Sequence, residues 1–334
     1  MDRKTDHPDL NPRFLQPDGW RWHNFTNPQG RILRFGTISP RDKIPDAVVV
    51  CLPGLSEFGE KYFELAHDML DRNLAFWILD WQGQGKSHRH LNDTHRRYST
   101  GFDDDVADLH FFLNEYVKHA AVQPDVGRIP LVMLAHSMGG NIGLRYLSHH
   151  QDMFACAAFS APMLGIQALN ILPHRVRLLL TGIFNEIAGT QYVFGGKGWS
   201  PAERDDPKRN IFSSHPGRAA IHNAWSRFDP ALQVGNVTFR WLYEAVKSCA
   251  LLEQKHILED IHTPCFMACA GNEKLVDNRA THNAATRMPH AKVIDLQESL
   301  HEILMERDPI RNAFLNGFDE LLQHNKIRTQ RTPF

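Results

Sequence analysis

No apolar run in this 334-residue chain approaches the ~20 residues that a membrane-spanning helix needs, so no spanning segment is read from the sequence. The N-terminal stretch Met1-Asp2-Arg3-Lys4-Thr5-Asp6-His7-Pro8 has no apolar core after its charges. It reads against a secretory signal and leads to the expectation of a cytoplasmic protein, with peripheral contact at the inner face of a membrane still open to it. Neither sign of charge is in excess. Lys and Arg number 37 and Asp and Glu 38, a formal net charge of −1, which removes any general electrostatic pull toward nucleic acid or an anionic bilayer. Cysteine is scarce and odd in number: Cys51, Cys156, Cys249, Cys265 and Cys269 lie mostly in apolar runs and read as buried, reduced thiols. Cys265 and Cys269 have no second pair and no zinc-type His/Cys spacing around them, so no metal site is expected. Gly83-Gln84-Gly85 forms neither a complete P-loop nor a GxGxxG motif and reads as a structural turn. Internal repeats and low-complexity tracts are also lacking.

What is present is a rhythm of short apolar runs and helical stripes. With 42% hydrophobic residues the chain can bury one large core plus a modest insertion. Residues up to about Gln29 are rich in Pro, Asp and Asn and are expected to run over the surface before a first strand at Ile32 to Ile38. Asp46 to Leu52 and Leu74 to Leu79 read as strands buried on both faces, with a helix from Glu60 to Arg72 between them. Phe102 to Val122 carries a helical stripe, and Phe154 to Phe159, Cys265 to Ala270 and Val293 to Leu296 read as further strands before a closing helix at Pro309 to Leu322. Alternating strand and helix implies an α/β fold with a mostly parallel, doubly wound sheet. Between Pro162 and about Asp260 the alternation stops, which implies an inserted helical cap. The expected organisation is a surface segment at 1–29, a core at 30–161 and 261–334, and a cap at 162–260.

The chemistry begins at Ile129-Pro130-Leu131-Val132-Met133-Leu134-Ala135-His136-Ser137-Met138-Gly139-Gly140, an apolar run ending in a serine among small residues. It reads as a nucleophile elbow, in which a buried strand reverses into a helix and holds the serine hydroxyl above the sheet edge. The usual pattern is G-x-S-x-G, and Ala135 stands at its first small position. A serine is a weak nucleophile unless a base lies within hydrogen-bond reach and a carboxylate orients that base. His301, just after the last expected strand, is the candidate base. The acid belongs in the preceding loop, where Glu273 is the first choice and Asp277, placed to cap the next helix, is its rival. The backbone N–H groups of Met138 and of Leu55, in Leu52-Pro53-Gly54-Leu55-Ser56-Glu57, are the expected oxyanion donors.

These motifs resemble the lysophospholipase and monoacylglycerol lipase family of α/β-hydrolases, the bacterial lysophospholipases most of all. The likeness runs from about Arg31 to the C-terminal helix. It is carried by Pro53-Gly54-Leu55-Ser56-Glu57 with Lys61-Tyr62, Asp80-Trp81-Gln82-Gly83-Gln84-Gly85-Lys86-Ser87, His136-Ser137-Met138-Gly139-Gly140, Ser160-Ala161-Pro162-Met163, Glu273-Lys274-Leu275-Val276-Asp277-Asn278 and Leu300-His301-Glu302-Ile303-Leu304. Glu273 stands where many relatives have Asp, and Pro53 where many have His. The resemblance implies an α/β-hydrolase fold and a Ser137, Glu273, His301 triad that splits a lipid ester through an acyl-serine, with no cofactor.

For a lysophospholipid or monoacylglycerol substrate, an acyl chain under the cap would meet Leu164, Ile183 and Phe184 among other apolar cap residues. The cationic stretch Lys86, His88, Arg89, His90, His95, Arg96, Arg97 would offer Arg89 to a phosphate head group. Those residues serve equally well as cap packing and as a solvated loop. The alternatives are a carboxylesterase or proline iminopeptidase-like enzyme acting on small substrates, and a non-catalytic binding module on a hydrolase scaffold. Nucleic acid is not an expected partner, and the oligomeric state is not legible.

Overall fold

A computed structural model describes residues 7–327; the charged Met1–Asp6 stretch lies outside the described residues. Eight strands form one sheet: β1 (Arg21–Thr26), β2 (Ile32–Ile38), β3 (Ala47–Leu52), β4 (Leu74–Leu79), β5 (Leu131–His136), β6 (Cys156–Ser160), β7 (Cys265–Ala270) and β8 (Ala291–Leu296). Their spatial order is β1-β2-β4-β3-β5-β6-β7-β8. The pairs β1·β2 and β2·β4 are antiparallel and the rest are parallel. Every residue of β3, β5 and β7 is buried, as uninterrupted apolar runs require when helices cover both faces.

The helices that matter to the site are α1 (Phe63–Asp71), α2 (Phe102–Phe112), α3 (Met138–Leu147), α4 (His174–Ala188), the single turn α5 (Ala202–Asp205), α6 (Pro216–Phe228), α7 (Phe239–Leu252), α8 (Asn278–Arg287) and α9 (Asp308–His324). Helices α4 to α7 all fall between β6 and β7 and form the cap. Just beyond α1, Arg72 pairs with Asp319 of α9 at 2.7 Å, both fully buried, which fastens the first core helix to the last.

One expectation fails here. The segment before Gln29 is not simply a surface run, because Arg21–Thr26 pairs residue for residue with β2, from Arg21 opposite Thr37 to Thr26 opposite Ile32. Trp20 and Phe25 are buried, Trp20 edge-on to Phe63 at 5.1 Å and Phe25 stacked near Phe112 at 5.8 Å. The polar flanks hid an edge strand that needs only one buried face. The expected helix at 102–122 is helical as far as Ala120, through a π-type turn at Leu113–Val117.

Candidate active site

Strand β5 delivers Ser137 to the carboxyl edge of the sheet, where its backbone takes φ 50° and ψ −115° before α3 begins. Such a positive φ is costly for a side-chain-bearing residue and persists only where its surroundings impose it. The Ser137 N–H donates to the Ser160 carbonyl at 3.0 Å, tying the turn to β6. Gly139 supplies the room: a Cβ there would collide with the Leu52 and Pro53 carbonyls at the end of β3.

Three side chains from distant parts of the chain converge on this turn. The His301 Nε2 lies 2.9 Å from the Ser137 Oγ, and the His301 Nδ1 lies 2.7 Å from the Glu273 Oε2. All three side chains are nearly out of water. Burial alone would raise the Glu273 carboxyl, but His301 and the amides of Leu275 and Val276 more than offset it and hold it below the usual carboxylate range. An ionised Glu273 accepts from the His301 Nδ1–H, which leaves the Nε2 lone pair toward the Ser137 hydroxyl. The other Glu273 oxygen accepts from the N–H groups of Lys274, Leu275 and Val276, at 2.9, 2.8 and 3.3 Å, so the longer acid is seated by its own loop. Asp277 turns elsewhere and caps α8 by accepting from the Arg279 N–H.

A cavity of about 220 Å³ opens over the Ser137 and His301 side chains. Met163, Ile166, Val237, Trp241, Leu242 and Leu275 give it a mainly apolar wall. Leu55 lines it too, and no hydrogen bond among the described residues occupies the N–H of Leu55 or of Met138. A second chamber of about 310 Å³ adjoins it through Leu55, Arg204, Phe212, Val237 and Leu275, and is edged by Ser200, Glu203 and Asn236.

The other sequence candidates lie apart from this cavity. Leu164 is buried in the core, Ile183 faces solvent at 45% exposure, and Phe184 stacks on Phe239 with ring centres 5.2 Å apart. The Arg89 guanidinium donates to the carbonyls of Gly83, Gly85 and Ala231, at 2.7 to 2.9 Å, and so closes its own loop rather than facing a head group. Its cationic neighbours are engaged as well. Lys86 pairs with Asp229 and Arg96 with Asp93, while buried Arg97 donates to Gln84.

Sequence reasoning missed the charged network behind the site. Lys61, 1% exposed, pairs with Glu57 at 2.6 Å and with Glu302 at 2.7 Å. Arg204 of α5 grips Glu302 with both terminal nitrogens, at 3.0 and 2.6 Å. The Glu302 N–H also donates to the Phe212 carbonyl at 2.8 Å, so the cap holds the residue next to His301 twice. Glu57 in turn accepts from the Gly54 N–H and the Tyr62 hydroxyl, bracing the loop that carries Leu55. Burial pushes Glu302 up, but Arg204 and Lys61 outweigh it and keep the carboxylate well below its ordinary range. Beside the network, burial drives His136 down to about 4 despite the opposing pull of Glu57, so its ring is neutral and donates from Nδ1 to the Ser160 carbonyl. The available signal was the four-residue spacing of opposite charges at Glu57 and Lys61, across the entry to the turn that precedes α1.

A mostly parallel eight-stranded sheet, with a strained serine after a central strand, a histidine after the last strand and a helical cap above them, defines an α/β-hydrolase. The chain belongs to the α/β-hydrolase family described as serine aminopeptidase S33, whose model matches residues 43–308, and groups there with the lysophospholipases and monoacylglycerol lipases. It is 30% identical over 324 residues to lysophospholipase L2 of Escherichia coli, covering 92% of this chain and 90% of the relative. It is 25% identical over 276 residues to a probable lysophospholipase L2 of Haemophilus influenzae, covering 82% and 83%. The crystal structure of a soluble variant of monoglyceride lipase from Saccharomyces cerevisiae, bound to a substrate analogue, shares the fold with a TM-score of 0.66 at 16% identity, over 99% of this chain and 98% of that one. The protein is a carboxylic ester hydrolase.

Proposed function

We propose that the enzyme releases a fatty acid from a single-chain lipid ester, a lysophospholipid or a monoacylglycerol, through an acyl-serine intermediate. The observation that carries this reading is the unbroken chain of Ser137 Oγ, His301 and Glu273, at 2.9 and 2.7 Å, on the wall of a mainly apolar cavity. Ser137 Oγ attacks the ester carbonyl carbon while its proton passes to His301 Nε2. The carbonyl oxygen becomes an oxyanion and takes hydrogen bonds from the Leu55 and Met138 amides. Collapse breaks the bond to the glycerol oxygen, which leaves with the His301 proton. A water molecule then gives a proton to His301 and attacks the acyl carbon, and Ser137 regains its proton as the fatty acid departs. Glu273 stays ionised throughout and steadies the imidazolium.

The acyl chain supplies the affinity, since each methylene moved from water into the cavity contributes about 0.8 kcal/mol. Delivery fits peripheral contact with a bilayer. Val176, Leu179, Leu180, Ile183 and Ile187 recur at helical spacing along α4 and all face solvent, with Phe194 beside them at 78% exposure. No helix among the described residues is long and apolar enough to cross a membrane.

The test compares fatty-acid release from lysophosphatidylcholine, lysophosphatidylethanolamine, monoacylglycerol and a short-chain ester, in wild type and Ser137→Ala. Release from the long-chain lipids that vanishes in the variant is the expected result. Turnover of the short ester alone would sink the lipid assignment and favour a carboxylesterase.

A further inference from the structure

We propose that Cys269, His282 and Asp295 form a binding site for a zinc-like divalent cation at the carboxyl end of β7, behind the loop that carries Glu273. No Cys/His spacing in the sequence announces it, because the three residues come from three elements and meet only in the fold. Cys269 of β7 and Asp295 of β8 are register partners in a parallel pair, so their side chains leave the sheet on the same face. Helix α8 covers that face and lays His282 over the pair. One ligand atom from each residue, a sulfur, a ring nitrogen and a carboxylate oxygen, lies within 4.8 Å of the other two. The His282 Nε2 is already 2.9 Å from the Asp295 Oδ1.

The donor set selects the ion. A thiolate with an imidazole and a carboxylate suits Zn²⁺ and its cobalt analogue, whereas Mg²⁺ and Ca²⁺ require oxygen donors. Charge closes as well, since one thiolate and one carboxylate neutralise a divalent ion. Cys269 is buried, while the His282 and Asp295 side chains are 43% and 42% exposed, which gives an ion its path and leaves room for water as the fourth ligand. A second observation points to the same place. Thr281, 1% exposed and next to His282 in the chain, has no hydrogen-bond partner for its hydroxyl, an unpartnered buried polar group beside the three ligands. On binding, the Cys269 S–H bond breaks, its proton goes to solvent and a metal–sulfur bond forms. His282 binds through Nε2 as the neutral ring with its proton on Nδ1. The ion would tie edge strand β8 to β7 and α8 and would take no part in ester cleavage.

The experiment titrates the metal-free full-length protein with Zn²⁺ and, as a spectroscopic probe, with Co²⁺. One ion per chain is expected, with a thiolate-to-cobalt charge-transfer band and a zinc-dependent rise in Tm. Cys269→Ser should abolish the band, and His282→Ala, a half-exposed position that leaves folding intact, should weaken zinc binding at least tenfold. If Cys269→Ser does not fold, Asp295→Asn takes its place and should weaken binding similarly. Absence of the band in wild type, or zinc affinity unchanged in His282→Ala, overturns the proposal; the second result would assign any bound zinc to others of the twenty histidines.

Discussion

On the core side of the cleft, Glu57, Lys61 and Glu302 sit out of water in one network that Arg204 closes from above. On the outer side of the cap, α4 does the reverse and holds Leu179, Ile183 and Ile187 in solvent. The two regions fail in different ways. A buried ion network tolerates the loss of no single member, because the partner left behind is a charge without water or counter-ion. An exposed apolar face contributes little to folding and can change freely until something must dock on it. The part of the molecule that fixes geometry is therefore intolerant, and the exposed face of α4 is permissive.

The sharpest way to probe this contrast is at the chemical centre of the intolerant side. Ser137→Ala should lower kcat by roughly 10⁶-fold, the scale seen when a triad serine is removed, and lipid and short-ester assays should agree. Lys61→Met should come next. It leaves Glu57 buried without a cation, facing a Glu302 that keeps only Arg204, and should cost about 3–5 kcal/mol in urea unfolding, with both the histidine loop and the oxyanion loop loosened. If that variant unfolds like wild type, the network is ornamental and the comparison fails.

Acidification tests the same side without mutation. Burial lowers His136 to about 4 in the folded protein, whereas its unfolded value is near 6.5. Between those values the unfolded chain binds the extra proton and the folded one does not, so stability should fall as pH drops from ~6.5 toward ~4, by on the order of 3 kcal/mol from this group. Above pH ~6.5 its contribution should be flat. Unfolding curves for wild type and His136→Gln across this window check it, and equal slopes would remove His136 as the cause. The smallest effect on stability belongs to the cap. Leu179→Glu combined with Ile187→Glu should change unfolding by less than about 0.5 kcal/mol per site and leave short-ester turnover alone. Co-sedimentation with lipid vesicles should drop about tenfold, and unchanged sedimentation would take α4 out of membrane contact.

The sheet interior was legible because apolar runs such as Ala47–Leu52 and Cys265–Ala270 are too short for helices and too apolar for one-sided strands. Ser137, His301 and Glu273 could be picked out because an elbow has a local pattern and its partners follow strand ends in a fixed order. Strand β1 was hidden because an edge strand buries one face only, and Trp20 and Phe25 stood alone among Pro, Asp and Asn. The cap residues went astray for a different reason. Helical spacing gives an apolar face but not whether that face looks inward, and on α4 it looks out, so Ile183 is exposed; of the apolar cap residues read from the sequence Ile166 does line the cavity, beside Val237 and Trp241. Arg89 was misread because the carbonyls that hold it include that of Ala231, far along the chain.

The collision that forbids a side chain at Gly139 has a consequence for how this enzyme can evolve. Helix α3 rests main chain against main chain on the last residue of β3 and on Pro53, so the seat of the Met138 amide against the end of β3 is set by backbone atoms, while the Leu55 loop beyond it is held by Glu57. Core side chains outside the Glu57, Lys61 and Glu302 network can be exchanged over generations, and helices can shift to accommodate them, without altering the gap in which the oxyanion would form. Sequence drift in the rest of the domain is thereby uncoupled from the tuning of the reaction.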